Sequence, residues 1–172
     1  MKNTVEAIGK DELRELLSKN WMSHDAMWMK TCVEKVGIEK ANEINKTACL
    51  SMGMIEIKRI ADLLGMDKKD TFEDVKAILE AALDIIKPDF MAFSVSFPER
   101  GLFQWTWKEN QCFAFMGMKK MGLIDEYQCG IFERVKGWLK GLGVPFEMEP
   151  SVDHCMMNTD GRCERTFNIL LP

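Results

Sequence analysis

The stretch MAFSVSFPERGLFQWTW, residues 91–107, decides the fold of this chain. Apolar and polar side chains alternate in both halves of the stretch, which is typical of strands with one buried face. The turn-forming segment Pro98-Glu99-Arg100-Gly101 separates the two halves. The apolar positions are Met91, Phe93, Val95, Phe97, Phe103, Trp105 and Trp107. This pattern predicts an antiparallel β-hairpin.

Upstream of the hairpin, apolar residues recur at helical spacing instead. They predict two long helices, over 11–36 and 38–64, which end at Gly37 and Gly65. Because almost no linker separates the two helices, we expect them to pack as an antiparallel pair.

A third helix is predicted from the capping-box spacing of Thr71 and Asp74, and it should end near Lys87 because Pro88 follows. After the hairpin, the pattern predicts two more helices and two more strands. Their ranges are 110–121 and 126–142 for the helices, and 144–149 and 163–171 for the strands. In the last strand, Arg165, Phe167 and Ile169 alternate with Thr166 and Asn168.

These elements predict an α+β fold in which long N-terminal helices pack with a four-stranded, mainly antiparallel sheet. One face of the sheet should be covered by helices. We expect a single domain over 1–172, with a helical half over 1–87 and a sheet-containing, cysteine-bearing half over 88–172.

The composition limits the classes of function. The 172 residues carry a formal net charge of −4 without a basic stripe, so nucleic-acid binding is not expected. No apolar run approaches the roughly 18 residues of a membrane-spanning helix, and residues 1–11 lack the apolar core of a signal peptide. We expect a cytoplasmic protein that is neither exported nor membrane-spanning.

Four of the six cysteines lie in the second half of the chain. In a reducing cytoplasm they would be free thiols, which leaves metal binding, catalysis or core packing as roles. Two of them lie near predicted helix starts, where the helix dipole favours a thiolate. The candidate ligands for zinc or iron are Cys112, Cys129, His154, Cys155 and Cys163. The alternative is that the cysteines are separate buried side chains, since no pair has the CxxC spacing of zinc sites.

A second candidate site lies on the first predicted helix. Trp21, His24, Asp25 and Trp28 are three, four and seven residues apart, so they fall on one face. His24 could transfer a proton with Asp25 as its partner, and the two tryptophans could form the walls of a pocket that binds a ligand. The alternative is a core tryptophan face on which His24 bonds a buried carbonyl.

Several of these residues carry a family resemblance. The segment NWMSHDAMW (20–28), the segment GIEKAN (37–42) and the order of the four cysteines resemble a family of prokaryotic cytosolic proteins related to the L-2-amino-thiazoline-4-carboxylate hydrolase-like proteins. The resemblance spans most of the chain, and W-x-x-H-D-x-x-W is its most specific element. It implies hydrolysis of a C–N bond that opens a thiazoline ring.

The chain departs from this family at residues 154–157 (HCMM), where relatives tend to carry a further cysteine and a proline. Its second half is also similar, more weakly, to the 4-vinyl-reductase-like ligand-binding fold, in which helices pack on an antiparallel sheet with cysteines near its end. The resemblance favours a functional role for both candidate sites.

Three functions are therefore open. The first is a hydrolase of a small cyclic amide-like or thiazoline substrate, with His24 as general base, Asp25 orienting it, and Trp21 and Trp28 walling the ligand. The second is a non-catalytic domain that binds a small hydrophobic or metal-containing ligand between helices and sheet. The third is a homodimer that forms through a face rich in the 14 methionines.

Overall fold

The computed structural model describes residues 7–171, which contain six helices and a four-stranded sheet. The helices are α1 (Lys10–Val36), α2 (Ile38–Leu64), α3 (Phe72–Ile86), α4 (Phe113–Lys120), α5 (Ile131–Leu142) and α6 (Met156–Thr159). The strands are β1 (Phe93–Ser96), β2 (Leu102–Trp107), β3 (Phe146–Glu149) and β4 (Cys163–Ile169). The predicted α+β fold with long N-terminal helices is confirmed.

The first three helices begin and end where their local signals predict. Gly65 follows α2 with φ 64° and ψ 31°, a left-handed conformation that favours glycine because a Cβ would be strained there. At the start of α3, the Thr71 hydroxyl accepts a hydrogen bond from the Asp74 backbone N–H at 3.2 Å. The Asp74 carboxylate accepts one from the Thr71 backbone N–H in return, also at 3.2 Å. The capping box is therefore formed as predicted.

Two helices in the second half begin later than their sequence pattern predicts. The segment before α4 is a turn, in which the Gln111 N–H donates to the Lys108 carbonyl at 3.0 Å. The segment before α5 is an isolated β-bridge between Gln128 and His154. The Cys129 N–H also donates to the Asp153 carbonyl, at 2.9 Å. Because these backbone groups bond outside a helix, the helices start only at Phe113 and Ile131.

The sheet is antiparallel throughout, with strand order β1-β2-β4-β3. Phe103 lies opposite Phe167 and Trp105 opposite Arg165, so these residues share one face. That face is buried. Gln104 and Glu164 lie on the other face and hydrogen-bond to each other at 3.1 Å.

The most extensive contact between helices joins α2 to α5, whereas α1 contacts α2 over a smaller surface. Glycines allow α2 and α5 to approach closely. A Cβ on Gly137 would lie 2.3 Å from the Leu50 carbonyl oxygen, and one on Gly53 would lie 2.3 Å from that of Arg134. The predicted pairing of α1 with α2 therefore occurs, but α5 is the principal partner of α2.

Helix α1 is the least buried of the long helices. Met29 is the one buried residue within its 27 residues. Its central part, from Ser18 to Met29, lies beside a cavity. No helix within residues 7–171 is long and apolar enough to cross a membrane.

Candidate functional site

A cavity of about 620 Å³ lies between helices α1, α2, α4 and α5 and the buried face of the sheet. Its wall is predominantly apolar. Five methionines line it, namely Met22, Met29, Met52, Met91 and Met118. Seven aromatic residues line it as well, namely Trp21, Phe93, Trp105, Trp107, Phe113, Tyr127 and Trp138. Cavities of this size and character commonly bind small molecules.

Polar side chains line one region of this larger cavity. Asn45 and Cys49 come from α2, and the Cys49 thiol lies 3.6 Å from the Asn45 amide oxygen. Burial raises the pKa of the Cys49 thiol to about 11, and the carboxylate of Asp25 adds to this increase. The positive charge of Arg134 lowers this pKa. Because Asp25 and Arg134 both lie near enough to Cys49 to affect its pKa, α1, α2 and α5 together form the polar part of the wall.

An ion pair holds Arg134 in its place on the cavity wall. Its Nε lies 2.8 Å and its Nη2 2.5 Å from the two carboxylate oxygens of Glu56. The Trp138 indole N–H donates to the same carboxylate at 2.7 Å. The guanidinium carbon lies 4.8 Å from the centre of the Trp21 ring. Arg134 thus connects α1, α2 and α5 at the cavity.

The four residues of α1 that were predicted to line one cavity do not all line it. Trp21 and Asp25 line the larger cavity, whereas His24 and Trp28 lie outside it. The His24 side chain is 74% exposed, with its Nδ1 3.5 Å from the Asp25 carboxylate. Ser18, Met22, Asp25 and Met29 line the cavity at spacings of three and four residues, so they mark the face of α1 beside it, and His24 and Trp28 lie outside that face. The expectation of one shared cavity is therefore wrong for His24 and Trp28.

A second, smaller cavity of about 10 Å³ is lined by all five candidate metal ligands. They are Cys112, Cys129, His154, Cys155 and Cys163. The fold brings them together from three helix starts and one strand. Within residues 7–171, however, no group of three or more His, Cys, Asp or Glu side chains is arranged to hold a metal ion.

Three of these cysteines lie at helix N-termini, as predicted for two of them. Cys112 precedes α4, Cys129 lies just before α5, and Cys155 precedes α6. Backbone N–H groups in the first turn of each helix lower the pKa of these thiols, but burial raises it by more. Burial likewise raises the pKa of Cys163, to about 12. The thiols are therefore protonated near neutral pH in this arrangement.

Arg165 also lines the smaller cavity, with only 1% of its surface exposed. No carboxylate lies within ion-pair distance of it in the part of the chain that the structure describes. Its guanidinium lies 5.1 Å from the centre of the Phe132 ring and donates to the Val152 carbonyl at 3.3 Å. It also contacts the Met156 sulfur. A buried positive charge without an anionic partner is energetically unfavourable, so Arg165 is a functional candidate.

The two cavities share part of their walls. Trp107, Ala114, Tyr127 and Ile131 line both. Tyr127 is buried, and its hydroxyl accepts a hydrogen bond from the Gly130 N–H at 3.3 Å. The cysteine-lined cavity and the larger cavity are therefore separated by a single layer of side chains.

Sequence reasoning did not find Arg134, Glu56 or Arg165 as site residues. Glu56 and Arg134 are far apart in sequence and meet only because α2 packs on α5. Arg165 did give a signal, since it alternates in phase with Phe167 and Ile169 and so had to lie on the buried face. A charged residue in such a position is an indication of a site.

Comparisons with known proteins give a family and a fold. The model of a family described as "Family of unknown function (DUF6125)" matches residues 6–129. No curated protein has a significantly similar sequence. A similar solved structure is that of a trafficking protein particle complex subunit 3 from Naegleria fowleri, covalently bound to palmitic acid. It has 17% sequence identity and a TM-score of 0.52, and the match covers 91% of this chain and 94% of that chain. At this identity the likeness shows a common fold.

Proposed function

Since the chain belongs to the DUF6125 family, whose function is unknown, we propose a function from the larger cavity: the protein binds a small, largely apolar molecule there. The observation that carries this proposal is the volume of about 620 Å³ behind a wall of aromatic and methionine side chains. Ligand sites in proteins typically measure about 300–1,000 Å³ and are lined in the same way. Methionine side chains adapt to ligands of different shape.

The fold neighbour supports an apolar chain as one class of ligand. That protein carries palmitic acid in covalent linkage. In the present chain Cys49 is the one cysteine on the wall of the larger cavity within residues 7–171. Its pKa of about 11 leaves little thiolate near neutral pH, and the thiolate is the nucleophile. We therefore propose that the ligand is bound non-covalently.

Intrinsic fluorescence provides a direct assay, because four of the five tryptophans line the larger cavity. Titration with decanol should change the emission in a saturable manner. A variant that places a larger side chain in the cavity should weaken this change. Gly117 is suited to the purpose, since it lines the cavity and an added Cβ would meet no atom within 4 Å.

Gly117→Leu should fold and bind decanol more weakly, whereas Gly117→Ala should retain most of the binding. Leucine and alanine both favour a helix over glycine, so the pair differs mainly in the volume placed in the cavity. If Gly117→Leu and the bulkier Gly117→Trp both bind decanol as tightly as the natural sequence does, the larger cavity is not the binding site.

We propose the cysteine-lined cavity as a metal site, on a separate observation. Backbone N–H groups at the helix starts and the Arg165 guanidinium lower the pKa of thiols that line it, against the larger effect of burial. Such an environment suits an anionic centre in which several thiolates hold one zinc or iron ion. Because no three side chains are arranged for an ion, the thiols would have to rotate toward it.

Metal analysis of protein purified without chelator tests this second proposal. About one equivalent of zinc or iron, lost in Cys155→Ser and in Cys163→Ser but retained in Cys32→Ser, would support it. Cys32 is suitable as the control because it does not line the smaller cavity. A protein that binds no metal, even after incubation with zinc under reducing conditions, would show that the cysteines are separate buried thiols.

The hydrolase activity implied by the family resemblance stays a proposal. Asp25 favours it to a limited extent, because this carboxylate lies on the cavity wall and could orient a water molecule. Incubation with 2-amino-thiazoline-4-carboxylate, followed by detection of the ring-opened product, tests it directly. Turnover that is lost in Asp25→Asn would support a role of this carboxylate, and absence of turnover would contradict the proposal.

A further inference from the structure

The larger cavity carries three charged side chains within the described residues: Lys19, Asp25 and Arg134. Two of them have partners of opposite charge outside the cavity wall. Lys19 pairs with Glu15, and Arg134 pairs with both oxygens of Glu56. Neither charge therefore requires a ligand to neutralise it.

Asp25 differs from these two residues. No lysine or arginine lies within 4.0 Å of its carboxylate in residues 7–171. Its one neighbour of potentially opposite charge is the exposed His24, at 3.5 Å, which is charged only when protonated. The Asp25 side chain is 62% exposed, so it places one negative charge without a lysine or arginine partner at a part of the cavity wall that is open to solvent.

The other charges on this wall do not make it positive. Glu56 neutralises Arg134, whose guanidinium lies 4.8 Å from the centre of the Trp21 ring, and Glu15 neutralises Lys19. An anionic group next to Asp25 would meet its carboxylate at close range. Repulsion between like charges raises the free energy of such a complex.

We propose that Asp25 makes the larger cavity selective for apolar molecules whose polar end is a protonated amine. The amine would pair with the Asp25 carboxylate, while the hydrocarbon part contacts the aromatic and methionine wall. This inference rests on the proposed binding function and names the class of ligand for it. A cavity with this preference would differ from one that binds fatty acids.

Decylamine, decanol and decanoate form a matched series for the test, since they share one hydrocarbon chain. The amine should bind at least about threefold more tightly than the alcohol, and the alcohol more tightly than the acid, because a partly exposed ion pair contributes modestly. Added salt should weaken the binding of the amine and leave that of the alcohol nearly unchanged.

Asp25→Asn keeps the shape of the side chain and removes its charge. In this variant the three affinities should converge, whereas Glu34→Gln, an exposed change on α1 away from the cavity, should leave the preference intact. Equal binding of the three compounds to the natural sequence would overturn the inference and leave the binding function standing. Absence of binding by all three would overturn the proposed function as well.

Discussion

Arg134 donates hydrogen bonds to both carboxylate oxygens of Glu56, with donor–acceptor distances of 2.8 and 2.5 Å. The pair is largely buried, since the two side chains are 22% and 14% exposed. It joins α5 to α2 at the wall of the larger cavity. Bidentate pairs of this kind fix geometry as well as contribute energy.

Removing one partner should therefore destabilise the fold. Arg134→Met leaves a partly buried carboxylate without its counter-charge and should lower the free energy of unfolding by about 2–3 kcal/mol. Urea denaturation measures this quantity. Lys40→Met, which breaks an exposed pair with Glu43, should change it by no more than about 0.5 kcal/mol. Similar values for the two variants would contradict the structural role of the pair.

The glycine contact between α2 and α5 gives a second prediction. In Gly137→Ala the added Cβ would lie 2.3 Å from the Leu50 carbonyl oxygen, which is part of a helix backbone and cannot move freely. We expect a loss of more than about 2 kcal/mol of stability. Gly117→Ala should be neutral or stabilising by up to about 1 kcal/mol, because its Cβ meets nothing and alanine favours helices. Thermal unfolding compares the two, and equal melting temperatures would refute the close approach.

The buried thiols predict how stability depends on pH. Burial raises the pKa of Cys49 from 9.0 to about 11 in the folded state. Between about pH 9 and 11 the unfolded chain loses this proton while the folded chain keeps it, so the free energy of unfolding falls as pH rises. One such group contributes at most about 1.4 kcal/mol per pH unit. Below about pH 9 both states are protonated, and the group has no effect.

Urea denaturation under reducing conditions at several pH values measures this slope. Cys49→Ser removes the titrating thiol, so its stability should fall less steeply over the same window. Other groups titrate in this range, and the difference between the two proteins isolates Cys49. Parallel curves would show that this thiol is not buried as described.

The placement of α1 gives a fourth prediction, on ligand binding. Trp21→Ala removes part of the wall and should weaken decanol binding by at most about tenfold, because the Trp21 side chain is 41% exposed. Trp28→Ala and His24→Ala should leave the affinity within about twofold, because both residues lie outside the larger cavity. A strong effect of His24→Ala would indicate that this side chain turns inward when the ligand binds.

Local signals in the sequence predict most of the elements. Gly37, Gly65 and the capping box at Thr71 act through neighbouring residues, so they can be recognised without knowledge of the rest of the fold. The hairpin is predictable for the same reason. By contrast, the starts of α4 and α5 are displaced by a turn and by the bridge between Gln128 and His154, a pairing across the chain that local periodicity does not reveal.

The candidate sites depend on such distant contacts even more strongly. Periodicity shows that α2 has an apolar face, but it does not show that α5 will cover it. The larger cavity exists because four helices and a sheet fail to fill the space between them, and no single segment encodes that volume. Local periodicity predicts that Cys112 and Cys129 lie near helix starts, but their approach to Cys155 and Cys163 depends on the tertiary fold. That Arg165 joins them follows only from the pairing of β4 with β2.

The wall shared by the two cavities also bears on how this family can diverge. Trp107 already carries the largest natural side chain, and a smaller residue at Trp107 or Tyr127 would open the wall between the two cavities. A mutation at either position that adapts the larger cavity to a new ligand would also alter the environment of the cysteines. The α1 residues line only the larger cavity, so ligand preference should change mainly through substitutions in this helix. We therefore expect α1 to vary more among relatives than the residues that line both cavities.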